Sequence, residues 1–447
     1  MSLFRQVFVQ AHTTFAHAMK HIVIIGNGIS GITAARNIRK QSNHPITVIS
    51  AETEHFFSRT ALMYIYMGHM RFEHTKPYED WFWKKNKIEL VFDFVEKIDT
   101  NKKSLQLKSG NKISYDKLII ATGSKSNKFA WPGQDLKGVQ GLYSYQDLEL
   151  MEANTKNIKS AVIVGGGLIG IEMAEMLRSR NIDVTFLVRE KEFWSNVLPL
   201  QEAALISKHV RSHHVDLKLE TELKEIIGDE NGKVKSVITN TGEEITCQFV
   251  GLTVGVSPNI DFLKDSGITC NKGVMVDEYL QTNMPDIYAI GDCVERNYEL
   301  PGRKNIEQVW YTGRMMGEVL AQTICDKARK YEPGPWFNSA KFFDIEYQTY
   351  GNVGNALAEN ETEFYWEHKS GLKCMHFVWD KHSRKFLGIN TFGIRLRHEC
   401  FDRWLREHRS IDYVMEHLHE ANFDPEFFTR HEKEIRKAFQ ENNLVSA

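Results

Sequence analysis

Cysteine is scarce in this sequence, and the few cysteines lie far apart. The chain of 447 residues has six, the first is Cys247, and no two form a Cys-x-x-Cys pair. A secreted domain held together by disulfides needs a much denser set of cysteines. The sequence therefore excludes a disulfide scaffold and indicates a reducing compartment.

The sequence also lacks an excess of positive charge and a long apolar segment. Lysine and arginine number 56 against 58 aspartates and glutamates, so no overall positive field would hold a nucleic acid. No stretch approaches the roughly 20 apolar residues of a membrane-spanning helix, and the opening residues show no apolar core of a signal peptide. We expect a cytoplasmic protein with neither a nucleic-acid nor a membrane partner.

The apolar content, in contrast, is that of an ordinary folded protein. Hydrophobic residues make up 42% of the chain and charged residues 26%, whereas a disordered chain has too few apolar residues to offset its conformational entropy. The length gives room for about three domains.

A strand, a glycine turn and a helix follow one another near the start of the chain. Residues 21–25 form an apolar run that predicts a buried strand, and a helix is expected from the glycine turn to about Lys40. A second predicted strand at 46–50 completes a βαβ unit of about thirty residues. This context makes the glycine turn a candidate dinucleotide site.

The three glycines of that turn have different expected roles. Gly26 permits the tight turn, Gly28 lets a pyrophosphate approach the backbone, and Gly31 lets the helix pack against the strand. Ile29 and Ser30 lie at the helix N-terminus, whose unpaired N–H groups attract negative charge. A glycine-rich turn used only for packing is the alternative.

The same pattern occurs a second time, between predicted strands at 161–164 and 184–188. Its glycine turn has the same expected mechanics, and the chain therefore carries two dinucleotide-binding units. The residues expected around the second pyrophosphate are Gly165, Gly167, Leu168, Ile169 and Gly170.

Residues just after the second strand of each unit indicate which nucleotide it binds. Glu52 is the candidate for the adenosine ribose hydroxyls in the first unit, with a solvated loop carboxylate as the alternative. In the second unit the strand-end position is the apolar Val188, and Arg189 and Lys191 follow. These cations would stabilise a 2′-phosphate and favour NADPH, although Glu190 lies between them and a solvated loop is again the alternative.

Three further segments resemble the two-dinucleotide flavoprotein reductases, a superfamily that includes glutathione reductase, the NADH oxidases, and the ferredoxin and rubredoxin reductases. LIIATGS resembles the family's crossover between domains, GLTVGVSPN its return segment, and TNMPDIYAIGDC its second FAD motif. The resemblance covers residues 20–325. It implies an α/β fold with two Rossmann-like domains that bind FAD and NAD(P)H, followed by an α+β C-terminal domain.

The same resemblance implies roles for single residues. Asp292 would bind the ribityl chain of FAD, the main chain of Val95 would contact adenine, and a helix near Gln308 would point at the flavin. A helix N-cap, a core valine and an ordinary amphipathic helix are the respective alternatives. The other residues implied at the cofactors are Arg59, Thr60, Ala121, Thr122, Gly123, Gly291 and Val309 for FAD and Gly255 for NAD(P)H.

The order of the segments implies that the chain leaves the FAD domain and later returns to it. Dimerisation stays open, because the third domain of this superfamily has different roles in different branches. The expected boundaries are an extension at 1–19, an FAD domain at 20–148 and 275–330, an NAD(P)H domain at 149–274 and an interface domain at 331–447.

A redox-active cysteine is missing where disulfide-reducing relatives carry one. Thr60 occupies that place, so thiol-relay chemistry is excluded there, and Cys293 is expected to be a buried thiol. The segment from Arg59 to Leu62 instead resembles the Arg-x-x-Leu of ferredoxin, rubredoxin and nitrite-reductase-type flavoproteins. Their next lysine corresponds to Tyr64, whereas Glu172 matches the glutamate that pairs with it and is the one candidate catalytic side chain.

These features predict a FAD-dependent NAD(P)H:acceptor oxidoreductase that passes electrons to a ferredoxin-like or rubredoxin-like protein. An NAD(P)H oxidase or a quinone reductase is the enzymatic alternative, and a flavin-based redox sensor or assembly module is the alternative of another class. No metal is expected, since the flavin carries the chemistry. Five arginines between Arg395 and Arg409 could face an acidic partner, although a solvated helix face is the simpler interpretation.

Overall fold

A computed structural model of the chain describes residues 19–423, 426 and 429–445. The extension expected at residues 1–19 therefore lies outside the described residues except for Met19. The strands formed by the described residues are β1 (Ile22–Ile25), β2 (Ile46–Ser50), β3 (Ile88–Phe92), β4 (Val95–Asp99), β5 (Ser104–Leu107), β6 (Lys112–Ser114), β7 (Lys117–Ile120), β8 (Ser124–Ser126), β9 (Val139–Gln140), β10 (Ser160–Val164), β11 (Asp183–Leu187), β12 (Val215–Lys218), β13 (Leu223–Gly228), β14 (Val234–Thr239), β15 (Glu244–Thr246), β16 (Val250–Leu252), β17 (Val256–Pro258), β18 (Val274–Val276), β19 (Ile287–Ala289), β20 (Val294–Arg296), β21 (Phe337–Phe342), β22 (Ile345–Gly351), β23 (Glu361–Glu367), β24 (Cys374–Asp380) and β25 (Phe386–Phe392). The α-helices are α1 (Ile29–Gln41), α2 (Leu62–Tyr66), α3 (Trp81–Lys85), α4 (Tyr145–Asn154), α5 (Leu168–Ser179), α6 (Leu200–Ser212), α7 (Trp310–Ile324), α8 (His398–Arg406), α9 (Ile411–His417) and α10 (Glu432–Val445).

The first sheet contains strands from two distant parts of the chain. Its order is β19-β7-β1-β2-β3, and all neighbours are parallel. Every residue of β1 and β2 is buried, as expected for a parallel sheet covered on both faces. Because β19 pairs with β7, the chain returns to the first sheet after it has formed the second.

The second sheet has the order β12-β11-β10-β16-β9 and is also parallel. Its edge strand β9 precedes residue 149, where the NAD(P)H domain was expected to begin. The antiparallel sheet β13-β14-β15 follows β12 and corresponds to the hairpins that Asn-Gly and Thr-Gly pairs predict. Both parallel sheets thus carry a glycine turn directly after their central strands β1 and β10.

The C-terminal part is an antiparallel sheet of order β21-β22-β25-β24-β23, packed against helices that follow it in the chain. The segment KFFDIEYQTYG (residues 341–351), which the sequence predicts as one strand, instead contains the end of β21, a turn and all of β22. Phe343 has a φ of 54° and forms the turn with Asp344. Aspartate is a common turn residue, whereas phenylalanine is not. Strand β23 was not predicted, and its inward side chains include the buried Phe364 and Trp366.

A buried ion pair joins the second nucleotide unit to the C-terminal sheet. His376 on β24 and Glu202 on α6 are both fully buried, and His376 Nδ1 lies 3.1 Å from Glu202 Oε1. His376 Nε2 also lies 2.9 Å from Glu363 Oε2, and Asn390 Nδ2 donates to Glu202 Oε2 at 2.8 Å. These contacts fix the C-terminal sheet against α6.

Across the described part of the chain, no helix combines the length and the apolar content needed to cross a membrane.

Candidate functional site

The first glycine turn leaves open space at one position and none at the other two. A Cβ added to Gly26 would lie 2.1 Å from the Ala121 carbonyl oxygen, and one added to Gly31 would lie 2.1 Å from the Gly26 carbonyl oxygen. A Cβ on Gly28 would meet no described atom within 4 Å. The first and third glycines therefore allow close packing, while the second faces a space that a pyrophosphate can enter.

The N-terminus of α1 lies at that open space. Gly28 is its N-cap, so no side chain caps the helix within the described residues, and its first turn carries no acidic residue. The first backbone N–H groups of α1 are consequently available to an anion. Asn27 Nδ2 donates to the Thr53 carbonyl at 2.8 Å and ties this turn to the end of β2.

The second glycine turn repeats this geometry at the start of α5. A Cβ on Gly165 would lie 2.7 Å from the Thr253 carbonyl oxygen, and one on Gly170 would lie 2.6 Å from the Gly165 carbonyl oxygen. A Cβ on Gly167 would meet open space among the described atoms. Helix α5 also has a glycine N-cap and no acid in its first turn. The residues of both turns thus fit a dinucleotide.

The crossover and return segments lie side by side between the two clefts. Strand β8 pairs antiparallel with β17, and Thr122 Oγ1 donates to the Asn259 carbonyl at 2.8 Å. Gly123 and Gly255, at the neighbouring turns, have φ values of 67° and 88°, which glycine adopts without strain. This ribbon joins the segment that contacts the first glycine turn, at Ala121, to the segment that contacts the second, at Thr253.

Glu52 and Arg59 form a two-point ion pair beside the first cleft. Arg59 Nη1 lies 2.7 Å from Glu52 Oε1, and Arg59 Nη2 lies 2.5 Å from Glu52 Oε2. Glu52 Oε1 also accepts a hydrogen bond from the Tyr145 backbone N–H at 2.9 Å. The structure therefore brings two predicted FAD residues together, and the ribose role of Glu52 stays a prediction.

Asp292 lies in a pocket with a tyrosine that sequence reasoning missed. The Tyr143 hydroxyl donates to Asp292 Oδ2 at 3.2 Å and accepts from the Ser124 N–H at 2.9 Å. Burial raises the pKa of Asp292 to about 6, although Tyr143 and Arg59 act in the opposite direction. A buried carboxyl of this kind can accept hydrogen bonds from a polyol chain such as the ribityl chain.

Helix α7 begins against the same region. Gln308 Nε2 donates to Ser124 Oγ at 2.7 Å, and Val309 is the N-cap of α7, whose first turn carries no acidic residue. A Cβ on Gly313 would lie 2.5 Å from Ser30 Oγ, and one on Gly291 would lie 2.3 Å from it. Helix α7 and the Gly291-Asp292 motif therefore both pack against the start of α1.

Two predicted FAD residues have ordinary surroundings. The side chain of Val95 is buried in the core. Val95 lies in strand β4 and pairs with Leu107 of strand β5. Thr60 is exposed, and its hydroxyl lies 3.1 Å from Ser58 Oγ. Their contacts to FAD stay predictions.

All six cysteines are free thiols. Cys293 is fully buried, and its sulfur lies 3.4 Å from the Ile290 carbonyl oxygen. Burial raises the pKa of this thiol to about 11, so it stays protonated at neutral pH and is a poor nucleophile. The expectation of a buried thiol is confirmed.

The lysine missing at Tyr64 has a counterpart on another part of the chain. Lys341 on β21 places its Nζ 5.6 Å from the centre of the Tyr64 ring and donates to Glu175 Oε1 at 2.7 Å. Burial and the charge of Glu175 raise the pKa of Glu172 to about 7, and Lys341 acts against this shift. Strand β21 thus supplies a cation beside the residue that we proposed as the catalytic carboxyl.

Next to the second cleft, the predicted phosphate-binding cation is accessible. The Arg189 side chain is 70% exposed, and its Nε lies 3.0 Å from Glu190 Oε1. Lys191 is exposed, whereas Val188 is fully buried. The two cations are thus available to a phosphate, but Arg189 would have to leave Glu190.

Four of the five arginines between Arg395 and Arg409 pair with nearby acids. Arg395 pairs with Glu346, and Arg403 lies 3.0 Å from Glu420. The pairs within the stretch are Arg406 with Asp402 and Arg409 with Glu407. This local balance favours the solvated helix face over a docking surface.

Comparisons with known proteins agree with this geometry. The family model described as "Pyridine nucleotide-disulphide oxidoreductase" matches residues 20–317. The chain is 31% identical over 280 residues to the nitrite reductase [NAD(P)H] of Bacillus subtilis, which covers 62% of this chain and 34% of that protein. The chain thus spans about a third of the length of that relative.

A second relative is similar over most of its own length. The NADH-rubredoxin oxidoreductase of Clostridium acetobutylicum is 30% identical over 313 residues, which is 69% of this chain and 76% of that protein. Among solved structures, a ferredoxin reductase from Rhodopseudomonas palustris superimposes with a TM-score of 0.77 at 21% identity. The match covers 94% of this chain and 99% of that one. The predicted fold class is confirmed.

Proposed function

The chain belongs to the pyridine nucleotide-disulphide oxidoreductase family, and from that premise we propose that it transfers electrons from NAD(P)H through FAD to a small redox protein of the rubredoxin or ferredoxin type. The chain is an oxidoreductase with FAD and NAD(P)H as cofactors. Bound FAD supplies a group that accepts hydride from NAD(P)H and releases electrons singly or in pairs. The protein supplies binding, orientation and electrostatics.

The roles of the chain's own residues follow from the clefts. The N–H groups at the start of α1 bind the FAD pyrophosphate, and Asp292 accepts hydrogen bonds from the ribityl chain. The N-terminus of α7 stabilises negative charge on the flavin. The start of α5 binds the pyrophosphate of NAD(P)H, and Arg189 binds its 2′-phosphate. We assign FAD binding to residues 20–148 and 275–330, NAD(P)H binding to 149–274 and an interface role to 331–447.

One observation supports electron transfer to an outside acceptor more than any other. Two glycine turns of the same geometry are connected by the β8–β17 ribbon, and Thr60 stands where a redox cysteine would receive the electrons. Without a thiol at that place, electrons leave from the flavin itself. The names of the relatives, which include a rubredoxin oxidoreductase, support a protein acceptor. The six free thiols support a cytoplasmic location.

Rapid mixing tests the acceptor. FAD-loaded protein, reduced anaerobically with NADPH, is mixed in turn with a rubredoxin, a [2Fe–2S] ferredoxin, oxygen and a quinone. We expect reoxidation by one of the two redox proteins to be at least about 100-fold faster than by oxygen or quinone. Faster reoxidation by oxygen or quinone would instead favour an oxidase or quinone reductase, and slow reoxidation by all four would favour the redox sensor.

Replacing Arg189 by alanine tests the choice of nucleotide. A charge-assisted hydrogen bond to a phosphate is worth about 1.5–3 kcal/mol, so kcat/KM for NADPH should fall about 10- to 100-fold while the value for NADH stays unchanged. Arg314→Ala, which removes an exposed arginine paired with Glu318 on α7, is the control. A wild-type protein that uses NADH more efficiently than NADPH contradicts the proposal.

A further inference from the structure

Two histidines on one face of α6 and its C-terminal end meet an aspartate of the C-terminal hairpin. His209 and His213 are four residues apart and therefore lie one above the other. His209 Nε2 lies 2.8 Å and His213 Nε2 lies 3.0 Å from Asp344 Oδ1. One ligand atom from each of the three side chains lies within 4.8 Å of the other two.

We propose that His209, His213 and Asp344 bind one divalent transition-metal ion of the Zn²⁺ class. Two imidazoles and one carboxylate are a common set of zinc ligands, with metal–ligand distances of about 2.0–2.2 Å. In tetrahedral geometry, such ligand atoms lie roughly 3.3 Å from one another. The observed separations of 2.8 and 3.0 Å are a few tenths of an ångström shorter, so small side-chain movements admit the ion.

The buried ring of His209 lies close to Asp344 but is not well aligned with it for hydrogen bonding. Its side chain is 3% exposed, and neither ring nitrogen makes a well-aligned hydrogen bond to any described group. A metal ion at Nε2 would give this nitrogen a well-aligned partner.

The other two side chains complete the site and leave it accessible. The His213 ring stacks on Phe343, with ring centres 4.2 Å apart and planes 6° apart, so its orientation is fixed. The Asp344 side chain is 73% exposed, which leaves an entry path and room for water as a fourth ligand.

A second cluster shows why this one is preferred. His368, His431 and Glu434 also have ligand atoms within 4.8 Å of one another. There, however, Lys373 Nζ lies 3.2 Å from His431 Nε2, and an ammonium group at a ligand atom competes with a metal ion for it. The second cluster therefore serves as a matched control.

The position of the proposed site links it to the flavin region. Asp344 lies in the turn between β21 and β22, and β21 also carries Ser339 and Lys341. The Ser339 hydroxyl lies 3.1 Å from the Tyr311 hydroxyl near the start of α7, and Lys341 reaches Glu175 on α5. A metal ion would fix the turn after β21 to α6 and thereby hold the C-terminal sheet against the second nucleotide unit.

Zinc binding by the full-length, FAD-loaded protein tests the proposal. Protein freed of metal with a chelator is titrated with ZnCl₂ in competition with a chromogenic zinc indicator, and MgCl₂ serves as the control cation. We expect one tightly bound Zn²⁺ per chain, no Mg²⁺ binding, and an affinity for Zn²⁺ at least about 100-fold lower in His213→Gln and Asp344→Asn. His368→Gln should bind Zn²⁺ as the wild type does.

Two results would overturn the proposal. The first is a wild-type protein that fails to compete with the indicator for Zn²⁺, and the second is equal affinity in the wild type and the Asp344→Asn variant. Bound FAD and the thermal unfolding temperature without zinc report whether each variant is folded. Asp344 is exposed, so its variant decides the outcome even if His213→Gln does not fold. None of these readouts depends on the electron acceptor.

Discussion

Replacing Gly28 by valine should abolish FAD binding and leave the fold intact. Gly28 has an extended backbone with a φ of −70°, which valine adopts readily, and its Cβ would enter the open space of the first cleft. The side chain would fill the place of the pyrophosphate and remove at least two charge-assisted hydrogen bonds of about 1.5–3 kcal/mol each. FAD affinity should therefore fall by roughly 10²- to 10⁴-fold, as measured by quenching of FAD fluorescence.

Two related glycines provide the controls for this experiment. Gly31→Val should lower the unfolding temperature of the flavin-free protein, because its Cβ would overlap the Gly26 carbonyl oxygen at 2.1 Å. Overpacking of this kind costs about 1–3 kcal/mol or more. Gly167→Val should retain FAD and lose NADPH binding. A Gly28→Val variant that binds FAD as tightly as the wild type would show that the open space is not the pyrophosphate site.

Removing Glu202 should produce the largest loss of stability outside the clefts. Glu202→Ala removes the fully buried one of the two carboxylates that face His376 and leaves only the partly exposed Glu363, and breaking a buried ion pair in this way costs about 3–5 kcal/mol. Denaturant unfolding measures the loss. Asp412→Ala, which breaks the more exposed pair with Arg384, is the control and should cost about 1 kcal/mol or less. Equal losses in the two variants would contradict the prediction.

The same ion pair predicts how stability changes with pH. Burial acts against the charged form of His376, but hydrogen bonds to Glu202 and Glu363 raise its pKa to about 9. A histidine in the unfolded chain has a pKa near 6.5. His376 therefore contributes fully to the free energy of unfolding below about pH 6.5, and this contribution is lost as the pH rises through about 9. The free energy of unfolding of the wild type should fall between about pH 6.5 and pH 9, and that of Glu202→Ala should fall less over the same interval.

The elements around the glycine turns could be predicted because their signals are local. The strand expected at 21–25 is β1 (Ile22–Ile25), and the strand expected at 46–50 is β2 (Ile46–Ser50) with the same bounds. Continuous apolar residues mark each buried strand, and three glycines at fixed spacing mark the turn between strand and helix. Family membership and fold class followed from these segments and their order.

Contacts between distant segments could not be predicted in this way. Tyr143 precedes α4, and nothing in its own neighbourhood indicates that its hydroxyl bonds Asp292. Lys341 lies far along the chain from Tyr64, so its position over the Tyr64 ring carries no local signal. The hairpin at Phe343 was missed because its turn offers only one typical turn former, Asp344, while the left-handed conformation falls on Phe343 instead.

Anaerobic titration of the FAD-loaded protein with NADPH tests the central claim most directly. The claim is that two adjacent nucleotide clefts serve one flavin with no redox-active sulfur beside it. The account predicts that one equivalent of NADPH, which carries two electrons, bleaches the flavin absorbance completely and that a second equivalent is not consumed. Consumption of two equivalents per flavin, as a redox-active disulfide would require, would contradict it.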